Sequence, residues 1–541
     1  MFPVPHHTDN ADDHSILSSY VLNAENNTVM IYRQPIEIDE KRNEGIAMKL
    51  SKSQYIRALQ CPKMLWMDKF MPDKAVCNDN LETIFETGTE VGNLARSYFG
   101  EYALVDFSFD KKQMITDTEK YIYSGAKNIA EASFMWDDLF CSVDILHKNP
   151  YGWDIIEVKS STHITPVYIE DMAFQYYVLK KSGLSITGIY NMHLNSEYVR
   201  RGRLELGRLF SIEDCTDIVL SKQEYVRTNI DNIRRFMGAA EDTEPETILG
   251  LHCDKPYNCA YTDYCRRNLP HPNVFDIRSN MKGKRKYDLF DSGIVSFEDV
   301  IKSGARLSVN QKLQVETEYY EKPPKINKKK IKECLDEFFY PLYFLDFETF
   351  QPAIPKFDGT KPYMQIPFQY SLHIQDYKGA EPEHREFLAK EGTDPRRSLA
   401  EKLCEDIPRD VCTLAYNMKF EKMIIKSLAG EFADLAPHLM NIYENIKDLM
   451  VPFEKKYYYD RAFEGSYSIK YVLPAMCPND PELNYHNLDG IHNGGEAMAA
   501  FDGLEKRPPE EVAQIRKNLL AYCRLDTLAM VKILEKLDDI C

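Results

Sequence analysis

An α/β protein with more than one domain is predicted by three observations. The chain has 541 residues, which exceeds one ordinary hydrophobic core. Strand-like runs at 139–146 and 153–158 flank a turn at 148–152, and a helical segment at 169–181 and an apolar strand at 186–192 follow. Far downstream, the buried-strand pattern Pro341–Leu345 is followed by a strongly helical tail at 511–537. The organisation these imply is a polar leader over 1–47, a mixed unit over 48–268, a charged, partly helical connector over 269–336 and a second unit over 337–541. Met48 is a plausible first residue, because ordered-looking sequence starts there. Ser53 is the expected cap of a helix from Gln54 to Asp68, interrupted at Cys61-Pro62.

A hydrophobic fraction of 44% and a charged fraction of 28% are those of a soluble globular chain. No apolar run is long enough to span a bilayer and no signal peptide opens the chain, so a cytoplasmic location without a membrane partner is expected. Thirteen cysteines there suggest free thiols or metal ligands rather than disulfides. The net charge of −17 excludes a wholly basic nucleic-acid coat, but leaves room for a local groove. The basic stretches Lys282–Lys286 and Lys325–Lys330 read as solvated faces or linker.

The sharpest chemical signal is Phe344-Leu345-Asp346-Phe347-Glu348-Thr349. Alternate residues of a strand share a face, so Asp346 and Glu348 project together and repel unless a cation lies between them. A hard divalent ion such as Mg²⁺ or Mn²⁺ suits that oxygen pair. An edge strand with solvated acids is the alternative, but acids closing an apolar central strand need a reason to be there. Asn417-Met418-Lys419-Phe420-Glu421 opens a helix after the apolar strand 411–416, Asp448 follows the segment 440–447, and Tyr522 and Asp526 lie four apart on one helix face.

In the first unit, Asp144 and the run Glu157-Val158-Lys159 fall on adjoining strands. By itself Glu-x-Lys is common and reads as an ion pair. Cys253, Cys259 and Cys265 are spaced Cys-x5-Cys-x5-Cys, with Cys61 far upstream. Four thiolates hold zinc or an iron–sulfur cluster, and unligated buried thiols are the third possibility; paired short zinc spacings are missing.

The C-terminal pattern resembles the DEDD exonucleases of the ribonuclease H-like superfamily, in the subclass whose third motif is Tyr-x-x-x-Asp. The motifs are matched by Asp346 and Glu348, by Asn417, Phe420 and Glu421, and by Tyr522 and Asp526. Glu421 departs from the usual Asp. The resemblance implies a mixed sheet with flanking helices and 3′→5′ hydrolysis with two Mg²⁺ or Mn²⁺ ions held by Asp346, Glu348 and Asp526, with help from Glu421. Tyr522 would orient the attacking water, since a phenol is a poor base at neutral pH. Gly465–Pro474 is similar to the substrate-side helix of that family, which would bring Lys470, with Asn417, to the substrate.

The first unit resembles the iron–sulfur RecB-type PD-(D/E)XK nucleases, such as the CRISPR-adaptation exonuclease. One cysteine precedes the core and three follow it, implying a 4Fe–4S cluster on Cys61, Cys253, Cys259 and Cys265 that staples the two ends of a restriction-endonuclease-like domain. Asp144 and Glu157 would bind Mg²⁺ or Mn²⁺, Lys159 would position water, and Gln175 in Phe174-Gln175-Tyr176-Tyr177 would approach the site. Gly92 stands where that family carries a His ligand, so that contact is lost or Glu90 replaces it. From Ser51 onward the chain is similar to an uncharacterised prokaryotic family pairing these two nucleases. The expectation is a two-centre nuclease acting on single-stranded DNA or duplex ends in repair, recombination or mobile-element defence. The alternatives are an RNA-processing 3′ exonuclease and a nucleic-acid-binding adaptor with a degenerate first site.

Overall fold

The computed structural model describes residues 49–76, 81–240 and 243–541; in its second sheet the central strands are buried on both faces. Residues Lys49–Cys541 cluster as one unit. The leader expected over 1–47, and Met48, lie outside the described residues. The result is an α/β architecture with two mixed sheets and many flanking helices.

The first sheet contains β1 (Leu50–Ser51), β2 (Ala103–Leu104), β3 (Asn128–Trp136), β4 (Leu139–Lys148), β5 (Trp153–Lys159), β6 (Ile186–Leu194) and β7 (Phe210–Asp214). Its order is β2-β3-β4-β5-β6-β7, with β1 parallel to β4. The β4–β5 hairpin turns as expected: Asn149 Oδ1 accepts from the backbone N–H of Tyr151 (2.8 Å) and Gly152 (3.0 Å). Gly152 is obligatory, because a Cβ there would lie 2.4 Å from the Ser185 carbonyl oxygen. β5 pairs with β4 only from Ile145 to Lys148, whereas β1 pairs with Leu139 and Phe140. In the fork between them, Val158 N–H donates to the Asp144 carboxylate (2.7 Å). A sheet that splays in this way opens room for side-chain chemistry.

The first helix is Lys52–Gln60, and it is capped by Ser51 rather than Ser53. Gln54, three residues on, returns its side chain to the Ser51 N–H and completes a capping box, for which Ser53 has the wrong spacing. Cys61 is extended, and Pro62 starts the next helix, Pro62–Phe70. Residues 269–336 are more than a connector. Helices Gly283–Asp291, Phe297–Ser303 and Val309–Tyr319 enclose a core of Val274, Ile277, Leu289, Phe297, Val300 and Val315. The basic stretches are tied into structure there: Lys286 Nζ donates to the Phe275 carbonyl (2.6 Å), and β8 (Lys325–Ile326) pairs with the later β14 (Tyr458–Tyr459).

The second sheet contains β9 (Leu342–Phe350), β10 (Ile366–Gln375), β11 (Glu383–Leu388), β12 (Cys412–Ala415) and β13 (Ile446–Asp448), in the order β11-β10-β9-β12-β13. Central β9 is antiparallel to β10 and parallel to β12. Tyr343, Leu345 and Phe347 face a core with Leu399, Leu403, Ile424 and Ile425. Leu342, Phe344 and Phe350 face the opposite core, which includes Leu519, Leu525 and Ala529 of the helix Pro509–Ile540. Asp346 and Glu348, in phase with the second set, are thereby aimed at the face bearing Tyr522 and Asp526.

The loop leaving β9 docks on the first half. Ala353 and Ile354 join the core of Ile145, Ile156, Met192 and Tyr198. Arg200 Nη1 donates to the carbonyls of Pro355 (2.8 Å) and Lys356 (2.9 Å), and Tyr363 OH donates to the Ser160 carbonyl (2.7 Å). One strand-plus-loop thus joins the sheet carrying Asp346 and Glu348 to the sheet carrying Asp144 and Glu157.

Candidate functional site

Asp346, Glu348, Glu421, Tyr522 and Asp526 converge in an open cleft with Asn417, Lys470 and Gln365. Each arrives on a different device. Strand alternation supplies the first pair; Glu421 sits in the first turn of the helix Lys419–Glu431; Tyr522 and Asp526 are one turn apart on the long helix. Asn417 adopts a left-handed φ of 75°, and its N–H and that of Met418 donate to the two oxygens of Asp448 (3.1 and 3.2 Å). Asp448 therefore anchors the turn that launches Glu421, and is not one of the acids lining the cleft.

Burial and mutual repulsion dominate the electrostatics. Burial pushes Glu348 up to about 8, with Asp526 adding to the shift and Lys470 opposing it. Burial likewise raises Glu421 to about 8 and Asp526 to about 6. Asp346 is raised by burial and by its neighbours Asp526, Glu348 and Glu421. Glu421 is 2% exposed, and its Oε2 has no hydrogen-bond partner. Such a cluster wants protons or a cation.

Tyr485 went unread in the sequence, whereas Lys470 stands at the cleft as expected. Tyr485 OH donates to Asp526 Oδ1 (2.6 Å) from a short 3₁₀ turn. Lys470 is held by the His492 carbonyl (2.9 Å), with its ammonium over the rings of Tyr485 and Tyr522. Behind Asp526, Thr527 Oγ1 bonds to Ser371 Oγ (2.7 Å) and His373 Nδ1 (2.8 Å), fixing the helix to β10. Burial, with His384 and Arg524 beside it, lowers His373 to about 3, so that network works with a neutral imidazole.

The first acidic set is assembled differently. Glu157 is 1% exposed, and one of its oxygens accepts from both Lys159 (2.8 Å) and Lys52 (2.9 Å), while Gln175 Nε2 donates to the other (2.5 Å). Lys159 also pairs with Asp171 (2.7 Å). Burial and the Glu157 charge push the half-buried Asp144 up to about 7, against the pull of Lys52 and Lys159; despite its burial, the two ammonium groups hold Glu157 below the usual carboxylate range. Lys52 and Asp171 were missed. A lysine in a first helical turn reads as solvated, and nothing local links it to a residue 105 positions away. Gly92 lies on the helix Leu81–Tyr98 with open space where a Cβ would point, and Glu90 is exposed there.

The balance predicts a cost when it is broken. Lys52→Met should destabilise the first half by about 1–3 kcal/mol, because it strips a donor from a buried carboxylate. Adding Glu157→Gln should recover part of that loss. Equal losses in the single and double variants under chemical denaturation would show that the Lys52–Glu157 pair carries none of it.

The four cysteines meet although they are far apart in sequence. Cys61, Cys253, Cys259 and Cys265 line one small cavity with Met64 and Tyr261. Its walls are closed by direct bonds: Gln60 Nε2 donates to the carbonyls of His252 (2.8 Å) and Tyr257 (2.6 Å), and Tyr261 OH donates to Asp68 (2.8 Å). Burial raises all four thiols, Cys61 to about 11. No three of the four sulfurs lie within 4.8 Å of one another. Tetrahedral zinc would hold its sulfurs about 3.8 Å apart. Four thiols around one cavity are the donor set of a zinc ion or of an iron–sulfur cluster.

An α/β chain with a buried carboxylate cleft and a separate cysteine pocket is the class these observations define. A family model described as "Domain of unknown function (DUF2779)" matches residues 343–468. That span includes Asp346, Glu348, Asn417 and Glu421 and ends before Lys470 and Asp526. No curated protein and no solved structure matches the chain. Among the described residues, no helix is long and apolar enough to cross a membrane.

Proposed function

We propose that the chain is a metal-dependent nuclease that hydrolyses DNA phosphodiester bonds, with its principal centre in the C-terminal cleft. The observation that carries the reading is the convergence of Asp346, Glu348, Glu421 and Asp526 in one cleft, with all four raised above their ordinary range by burial, and Asp346 and Glu348 further by their acidic neighbours. The β11-β10-β9-β12-β13 order, with β10 antiparallel to both β11 and β9 and with β9, β12 and β13 parallel, supports a ribonuclease H-like sheet. Bound to the carboxylates, divalent cations would activate water and stabilise the leaving 3′ oxygen. Tyr522, whose hydroxyl burial keeps protonated at neutral pH, orients water by donating or accepting a hydrogen bond. Lys470 presents positive charge to the phosphate, and Asn417 borders the cleft where the substrate backbone would enter.

The first half is read as an iron–sulfur RecB-type unit. The donor set fits a 4Fe–4S cluster, with Cys61, Cys253, Cys259 and Cys265 as its ligands. Its acidic set is a different matter. Glu157 carries ion pairs to Lys52 and Lys159, a more compensated arrangement than the C-terminal acids have, and this puts the principal centre in the C-terminal cleft.

A digestion panel of end-labelled single- and double-stranded DNA and RNA, with Mg²⁺ or Mn²⁺, tests the reading. Loss of 3′-end shortening of DNA in Asp346→Ala but not in Asp144→Ala is expected. Degradation confined to RNA would replace the substrate, and cleavage abolished only by Asp144→Ala would move the principal centre to the first half.

A further inference from the structure

Cys523 lies between Tyr522 and Asp526 on the long helix, is fully buried, and points its sulfur at β9. Its Sγ is 3.8 Å from Asp346 Oδ2 and 3.8 Å from the Asp346 carbonyl oxygen. One ligand atom each from Asp346, Glu348 and Cys523 falls within a 4.8 Å set. An independent sign of a missing ligand is the buried Glu421 Oε2, unpartnered on the wall of the same cleft. A cation with metal–oxygen and metal–sulfur bonds of about 2.0 and 2.3 Å in a tetrahedral arrangement separates O and S by about 3.5 Å, near the observed spacing.

We propose that Cys523 supplies a sulfur ligand to the carboxylate centre, giving it a mixed oxygen–sulfur donor set that takes a borderline transition cation of the Mn²⁺, Co²⁺ or Zn²⁺ class in preference to Mg²⁺. This rests on the reading of the cleft as a cation site and deepens it. Mg²⁺ demands oxygen and dehydrates reluctantly, whereas thiolate ligation favours later first-row ions. Binding expels the thiol proton to solvent and forms the metal–sulfur bond, with no change in oxidation state. The rival role for Cys523 is an S–H donor that only positions Asp346. A serine hydroxyl would preserve that role.

The full chain, its cysteine pocket loaded, is titrated with Co²⁺ and then Cd²⁺. Wild type should develop a thiolate-to-Co²⁺ charge-transfer band that Cys523→Ser lacks, and Cd²⁺ affinity should fall about tenfold or more in the variant while Mg²⁺ affinity holds. Identical Co²⁺ spectra and Cd²⁺ affinities in the two proteins would overturn the sulfur ligand while leaving the cation site standing. Binding that neither protein shows, or that Asp346→Asn leaves unchanged, would overturn the cation site itself. If Cys523→Ser does not fold, cadmium NMR of the wild type decides: a resonance in the all-oxygen range rejects the proposal and one shifted by sulfur supports it.

Discussion

Replacing Asp346 and Asp526 together by alanine should abolish Mn²⁺-dependent shortening of 3′-labelled DNA, by several orders of magnitude rather than a few-fold. The two residues come from the central strand and the last helix, so the pair removes opposite walls of one charge cluster. Each single variant should lose nearly as much as the double, because groups acting as a unit are not additive. The same cluster makes a stability prediction with a definite sign. Glu348 and Glu421 rise from 4.5 to about 8 in the folded, cation-free chain, so the folded state holds more protons than the unfolded state between those values. Stability is therefore full below about pH 4.5 and is lost as pH rises through about 8. Melting at pH 5 and pH 8 should show that decline, and Mn²⁺ should reverse it at pH 8 by binding only the folded chain. Asp346→Asn should raise the cation-free melting temperature at pH 8 while destroying activity. Undiminished degradation by the double alanine variant would remove the cleft as a hydrolytic centre, and a melt indifferent to both pH and Mn²⁺ would remove it as a cation site.

What could be read from the sequence was what repeats at short range. Asp346 and Glu348 share a face because strand side chains alternate, and Tyr522 and Asp526 because a helix turns in just under four residues. The hairpin around Asn149 and Gly152 and the break at Cys61-Pro62 were legible for the same reason. Asp448 had no role assigned by the sequence, because an acid near an acidic cluster has two uses, and the hydrogen bonds from Asn417 and Met418 that decide between them belong to the tertiary fold. Lys52, Asp171 and Tyr485 carry no local pattern that distinguishes a site residue from a solvated one. Cys523 was hidden differently: a cysteine on the buried face of an amphipathic helix reads as core, and only the strand across from it gives its sulfur an oxygen neighbour. The charged composition of 269–336 concealed a small packed core, since six apolar residues spread over about forty positions form no run.

The two acidic clusters differ in what completes them, and the loop between β9 and β10 ties both to one framework. In the C-terminal cleft burial, reinforced at Asp346 and Glu348 by neighbouring carboxylates, raises the acids, whereas at Glu157 two ammonium groups and an amide bond to the carboxylate. The sequence already gives the C-terminal acids the sharper signal, and the partners of each oxygen supply the physical reason.

The first half should depend on its cysteine pocket for stability more than on any other feature. The helix Lys52–Gln60 begins with the lysine that pairs with Glu157 and is followed at once by Cys61, so one rigid segment joins the pocket to the buried ion pair. Protein purified without oxygen should be brown and hold about four irons per chain. Cys259→Ala should bleach it, lower the first half's melting temperature, and free Lys52 from Glu157. Because burial raises the metal-free thiols, an emptied pocket leaves them protonated and unable to repel one another apart. The loss then comes from an unfilled cavity and from the missing covalent links between Cys61 and the 253–265 loop. The bonds from Gln60 to His252 and Tyr257 remain to hold the ends together. A second variant, Gln60→Ala, should therefore be mild in the loaded protein and severe when combined with Cys259→Ala. A colourless preparation with stoichiometric zinc would reject the iron–sulfur assignment, and a Cys259→Ala variant that melts with wild type would reject the pocket as the staple of this half.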